Sequence, residues 1–243
     1  MINFTLVCGF LKSTLFFISM ILWSLIIFPI AILVILFPYK YIQKIPVLWC
    51  DGILWLLKII VGINYKIYGC ENIPTKKPYV VVAVHQSAWD TWGMVSVFRN
   101  MVTYVMKREL MWIPFLNIAL KAYGCIPIKR GDKNMMQKII FHADKQLKKG
   151  RVVGIFPQGT RAKFGAPVNC KSGVWYLYQH FKDVDFIPVY LDSGRFWAKG
   201  QFVKTSGTVS VVVHKKLNMP RDISKHDFIV QLEKILSDDK SGN

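Results

Sequence analysis

His85 and Asp90 stand five positions apart in His85-Gln-Ser-Ala-Trp-Asp90, directly after the apolar run YVVVAV. An imidazole titrates near neutrality, so it can take a proton from a hydroxyl whose oxygen is attacking a carbonyl. A carboxylate on the other ring nitrogen fixes the tautomer and steadies the imidazolium that forms. Across a strand-to-helix turn this offset brings the acid back onto the ring. Spacing alone is a weak signal, because His180 and Asp185 repeat it in a charged stretch that reads as surface.

Two further segments share the setting of His85. Phe156-Pro157-Gln158-Gly159-Thr160-Arg161 ends another apolar run on a Pro/Gly turn, where backbone N–H groups and the Arg161 fork suit a phosphate. Lys107-Arg108-Glu109-Leu110-Met111-Trp112-Ile113-Pro114-Phe115 follows a third β-rich run. Each lies where a strand gives way to a helix or loop, the edge at which open α/β sheets bind ligands. Other chemistries find less support. Ser87 and Cys125 are tempting nucleophiles, but no GxSxG elbow is present, and the glycines at 154 and 159 lack the lysine of a nucleotide P-loop.

These segments need strands to carry them. The composition predicts strands at 65–70, 79–84, 101–106, 125–129, 152–157, 185–191 and 209–214. Between them Met135, Ile139, Ala143 and Leu147 share one helical face, and Gly150 stops that helix. Alternation of strands and helices implies an α/β domain with a mixed, mostly parallel twisted sheet flanked by helices.

Upstream lies a different solvent. Residues 14–37 carry no charge and are long enough to span a bilayer core, with Pro29 interrupting them. The run is too long for the apolar part of a cleaved signal, and no A-x-A site follows it. Lys40 and Lys44 beyond it outweigh Lys12 before it, which favours a cytoplasmic C-terminal domain. Residues 46–61 read as a second helix with a polar stripe at Lys44, Asp51 and Lys58, suited to a headgroup boundary. The expected division is a membrane anchor over 1–62 and a catalytic domain over 63–243.

Composition agrees. Hydrophobic residues make up 53% of the chain, and 32 Lys+Arg against 14 Asp+Glu give a formal charge of +18, which favours acidic partners. The five scattered cysteines have neither zinc spacing nor a disulfide framework, as expected of a reducing, cytosol-facing domain. No nucleic-acid motif is visible, so no nucleic-acid partner is expected.

From about Tyr68 to Leu236 the sequence resembles the bacterial 1-acyl-sn-glycerol-3-phosphate (lysophosphatidic acid) acyltransferases, the HX4D glycerolipid acyltransferases. The resemblance rests on an ordered set: HQSAWDT, KRELMWIPF, GCIPIKR, FPQGTR, KSG at 171–173 and IPVYLDSGRFW at 187–197. It implies a glycerol-3-phosphate acyltransferase-like fold. The implied reaction moves a fatty acyl chain from an acyl thioester, acyl-CoA or acyl carrier protein, to the sn-2 hydroxyl of lysophosphatidic acid, giving phosphatidic acid. His85 would be the base and Asp90 its orienter. Lys107 and Arg161 would contact phosphate, Gly159 and Thr160 would shape the turn, and Arg130 matches a basic position of the family. The resemblance implies no metal or cofactor, and a site on the cytoplasmic side of the bacterial inner membrane against anionic lipids. One position departs from the pattern: Gln158 stands where the family's FPEGTR has Glu. An amide keeps the length and the acceptor but loses the charge. We expect Gln158 to order the turn. Proton transfer already has a pair. These motifs define the reaction better than the acceptor; a lyso-amino-lipid, or phospholipid remodelling, would suit the same chemistry. A non-catalytic basic protein on anionic lipid is the competing class.

Overall fold

The computed structural model describes residues 4–34, 41, 44–76, 78–99, 102–112, 117, 120–121, 123–129 and 131–239. Among the described residues seven strands form one sheet: β1 (Ile63–Tyr68), β2 (Tyr79–Ala83), β3 (Val102–Lys107), β4 (Ile126–Ile128), β5 (Val152–Ile155), β6 (Asp185–Leu191) and β7 (Gly207–Val213). Their spatial order is β1-β7-β6-β2-β5-β3-β4. Every pairing is parallel except β6 with β7. All seven expected strands are present, with ends shifted by at most two residues. The central strand β2 is buried at all five positions, which is why YVVVA reads as a continuous apolar run and not as an alternation.

Helices cover both faces. They are α1 (Phe4–Val34), α2 (Lys44–Leu56), α3 (Trp89–Val97), α4 (Met135–Leu147), α5 (Gly173–His180) and α6 (Lys225–Ser237). The β2-α3-β3 crossover runs one way along the sheet, while β4-α4-β5 and β5-α5-β6 run the other. Right-handed crossovers therefore put α3 on one face and α4 and α5 on the opposite face. α2 packs against both α1 and α3, and α6 packs beside α5.

α1 begins at Phe4, ten residues before the expected start at 14. Lys12 is one exposed charge on a helix that is otherwise uncharged and needs no gap in its hydrogen bonding there. Residues 35–37 of the expected segment lie outside the described residues. The stretch Leu6–Val34 is long and apolar enough to cross a membrane, and little of it is buried against the protein. Its docked side carries Ser13, Phe16 and Ile27, all buried. The Trp23 indole N–H donates to Trp49 O at 3.1 Å, and the Trp49 indole donates to Ser24 Oγ at 3.0 Å, tying α1 to α2. Lys204, from the segment between β6 and β7, seats its Nζ 3.8 Å from the Phe17 ring centroid and 4.4 Å from that of Trp197. Its backbone N–H donates to Ser13 Oγ at 3.0 Å.

One member of the polar stripe on the second helix has partners within the protein. Asp51 accepts from Ser96 Oγ at 2.5 Å and from an Arg99 guanidinium nitrogen at 2.7 Å, so its carboxylate serves the α2–α3 contact. Cys50, Ile53, Leu54 and Leu57 join the core beneath, leaving Leu48, Trp55 and Ile59 exposed.

Candidate active site

β6, β2, β5 and β3 are consecutive in the sheet and parallel, so the segments that follow them emerge along one edge. That edge receives Ser193, His85 with Asp90, Gln158 to Arg161, and Lys107 in that order.

His85 follows β2, and Asp90 lies in the first turn of α3. Asp90 Oδ2 is 2.9 Å from His85 Nδ1 and accepts the backbone N–H of Gln86 at 2.6 Å and of Ser87 at 2.8 Å. Its other oxygen, Oδ1, accepts the hydroxyl of Ser193. The carboxylate is fully buried, and four donors make that tenable. A carboxylate only accepts, so Nδ1 must carry its hydrogen and Nε2 is the ring's free acceptor. The His85 side chain is 16% exposed, enough for a reactant to reach it. The ring lies on that of Phe156, centroids 4.0 Å apart, and Phe156 lies in turn on Tyr104.

Gln158 is 7% exposed, and its Oε1 accepts the His85 backbone N–H at 2.8 Å. Side by side, β2 and β5 put the two turns in reach of each other, and the Ala162 N–H donates back to His85 O at 2.8 Å. The amide thus holds the main chain of the imidazole, a task that needs an acceptor oxygen and no charge. Gly159 turns the chain with φ +68°, a conformation in which a side chain is strained. The turn presents Thr160 and Arg161 to solvent.

Sequence reasoning gave two cations at this turn no role of their own. The Lys171 side chain passes 3.3 Å from where a β-carbon on Gly159 would sit, and Lys199 Nζ donates to Thr160 Oγ1 at 3.2 Å. Lys171 opens the KSG segment, but nothing near Lys199 in the sequence marked it. Lys107 ends β3, two strands from His85, exposed and 3.5 Å from Glu109. Arg130 lies outside the described residues, as do residues 113–116 of the segment after β3; Trp112, just before them, is 75% exposed.

The competing residues settle into structural work. Ser87 is buried and its Oγ accepts the Trp89 N–H at 3.2 Å, at the start of α3. Burial pushes the Cys125 thiol up to about 11, unsuited to a nucleophile. Asp185 pairs with Lys216 at 2.9 Å and not with His180, so the repeated spacing forms no pair.

Residues 64–192 match the family model described as Acyltransferase. The chain is 32% identical over 225 residues to the 1-acyl-sn-glycerol-3-phosphate acyltransferase of Pseudomonas aeruginosa, covering 88% of this chain and 85% of that protein. It is 32% identical over 162 residues to human 1-acyl-sn-glycerol-3-phosphate acyltransferase alpha, covering 65% of this chain but only 56% of that longer protein. The crystal structure of the 1-acyl-sn-glycerophosphate (LPA) acyltransferase from Thermotoga maritima superposes with a TM-score of 0.78 at 20% identity, over 95% of this chain and 93% of that one. Its likeness carries the fold. With the match over 64–192 and the full-length relative above 30% identity, the chain belongs to the acyltransferase family and is an O-acyltransferase.

Proposed function

We propose that this enzyme acylates the sn-2 hydroxyl of 1-acyl-glycerol-3-phosphate from an acyl thioester, forming phosphatidic acid. One observation carries the reading: a buried carboxylate fixes His85 Nδ1–H and leaves Nε2 as the acceptor, on the same sheet edge as the cationic turn. His85 Nε2 takes the proton from the acceptor hydroxyl as its oxygen attacks the thioester carbonyl. Collapse of the tetrahedral adduct breaks the C–S bond, and the thiolate leaves with the proton returned from His85. Arg161, assisted by Lys171 and Lys199, is the phosphate site; Lys107 extends it across the edge. The names of the relatives support lysophosphatidic acid as acceptor. Acyl-CoA and acyl carrier protein both present the required thioester.

The apolar α1 fits an enzyme whose acceptor and product are lipids. We place the catalytic domain on the cytoplasmic face of a bacterial inner membrane, with exposed Lys and Arg drawing it to anionic headgroups at about 1 kcal/mol per well-placed cation. The test supplies the purified protein in detergent with an acyl thioester and either lysophosphatidic acid or a lysolipid lacking the terminal phosphate monoester. Phosphatidic acid should form, with the phosphomonoester acceptor preferred. Equal turnover of both acceptors, or no phosphatidic acid with either donor type, would contradict the assignment.

A further inference from the structure

Asp90 meets His85 through only one of its oxygens. Oδ2 carries the contact to Nδ1 and both backbone N–H bonds, so all three lie on one side of the carboxyl group. The terminal torsion of an aspartate is broad and moves both oxygens together, so a donor on Oδ1 holds the same carboxylate plane that the contacts on Oδ2 require. Among the described residues, the donor on Oδ1 is the hydroxyl of Ser193. Ser193 is 1% exposed and Asp90 is fully buried, so the contact is shut off from bulk solvent.

The fold delivers Ser193 there by strand register. β6 runs parallel beside β2, with Val189 opposite Ala83, so the turn after β6 arrives beside the turn after β2. Two further contacts lock the turns together. The Gly194 N–H donates to Gln86 Oε1 at 3.2 Å, and a β-carbon on Gly194 would stand 2.8 Å from Gln86 Cβ. On the far side, Asp192 Oδ1 accepts the Ser210 N–H of β7 at 2.7 Å, which braces the turn against the sheet. The serine is therefore held on a rigid element, aimed at the one carboxylate oxygen that His85 does not use.

We propose that Ser193 is a positioning residue of the acid–base pair, acting through Asp90 Oδ1. This rests on the reading of His85 and Asp90 as that pair. The hydroxyl does two things. It fixes the carboxylate plane so that Oδ2 stays in line with Nδ1–H, and it draws negative charge from Oδ2. Without it, Asp90 would hold the imidazolium more tightly, and the inactive protonated ring would persist to higher pH.

The test uses the full chain in detergent: Ser193→Ala, Ser193→Cys, Asp90→Asn and the Ser193→Ala/Asp90→Asn double variant. For each, kcat, both KM values and the pH profile of kcat are measured with a radiolabelled acyl donor. Ser193→Ala should lower kcat about tenfold, the lower end for a hydrogen bond to a charged group, with both KM values near those of the parent. The acid limb of its profile should move to higher pH. Cysteine keeps the site filled with a poorer donor, so it should fall between serine and alanine even if alanine loosens the fold. In the Asp90→Asn background the serine substitution should change kcat less than about twofold, because the two act as one unit. Equal losses in both backgrounds, or an acid limb that stays in place, would overturn the proposal by reducing Ser193 to packing. Full activity in Asp90→Asn would instead remove the catalytic pair itself.

Discussion

Replacing Gln158 separates the two things its position could supply, an acceptor oxygen and a charge. The amide oxygen lies 2.8 Å from the His85 backbone N–H, and the side chain is 7% exposed. Gln158→Ala strands that N–H in the interior, and a buried unsatisfied donor costs about 1–3 kcal/mol. For a chain of this size a loss of about 2 kcal/mol lowers Tm by roughly 4–8 °C. Its effect on turnover is geometric: the freed peptide moves the imidazole, and a shift of about 1 Å costs on the order of 10² in rate. Gln158→Glu keeps an oxygen at the same reach. Its charge strengthens the bond to His85 but pays for desolvation, so turnover should stay within about tenfold of the parent, about 1.4 kcal/mol. Initial rates of phosphatidic acid formation and thermal melts in detergent check both substitutions. An alanine variant that melts and turns over like the parent would show the bond to be idle. A rise of several hundredfold in Gln158→Glu would show that a carboxylate at this position takes part in the chemistry.

Three other substitutions probe the anchor and the phosphate turn. Arg161→Ala should raise KM for the phosphorylated acceptor by roughly 10–100-fold, the range of a charge-assisted bond, with a smaller change in kcat. A loss confined to kcat would move Arg161 into the chemistry. Burial pushes the Lys204 ammonium down to about 8, so from there to its ordinary value of 10.5 the unfolded chain binds the extra proton and stability rises with pH. Lys204→Met should flatten that rise in melts taken across this window; an unchanged slope would assign it elsewhere. Asp51→Ala removes the acceptor for Ser96 and Arg99 and should cost about 1–3 kcal/mol, read as a lowered Tm. A variant that melts with the parent would show the α2–α3 contact to rest on apolar packing alone.

Sheet and site were legible for different physical reasons. β2 and β5 are buried on both faces, so their apolar runs stand out whatever their neighbours, and the residues after them could be placed on one edge before any coordinates. The closure of Asp90 onto His85 was legible too, because a turn of this length is a local event. What failed to read was tertiary. Asp51 has the periodicity of a polar stripe suited to a headgroup boundary, yet its partners lie 45 and 48 positions away. Periodicity reports which residues share a face and is silent on what that face meets. Ser193 reaches Asp90 across 103 positions, and Lys199 reaches Thr160 across 39. Strand order brings the serine in, and a loop after β6 brings in the lysine; neither is encoded near the motif it serves. Gln158 was visible only as a departure from a family pattern, and its use as the clamp on the His85 main chain needed the pairing of β2 with β5.

The central claim is that His85 is the base. The direct measurement is the rate of phosphatidic acid formation by His85→Ala beside the parent, at saturating lysophosphatidic acid and acyl thioester, with membrane or detergent-micelle binding followed in parallel. General base catalysis is typically worth about 10²–10⁴, so the variant should bind as the parent does and lose at least about a hundredfold in kcat. A variant that binds and turns over within a few-fold of the parent would contradict the account.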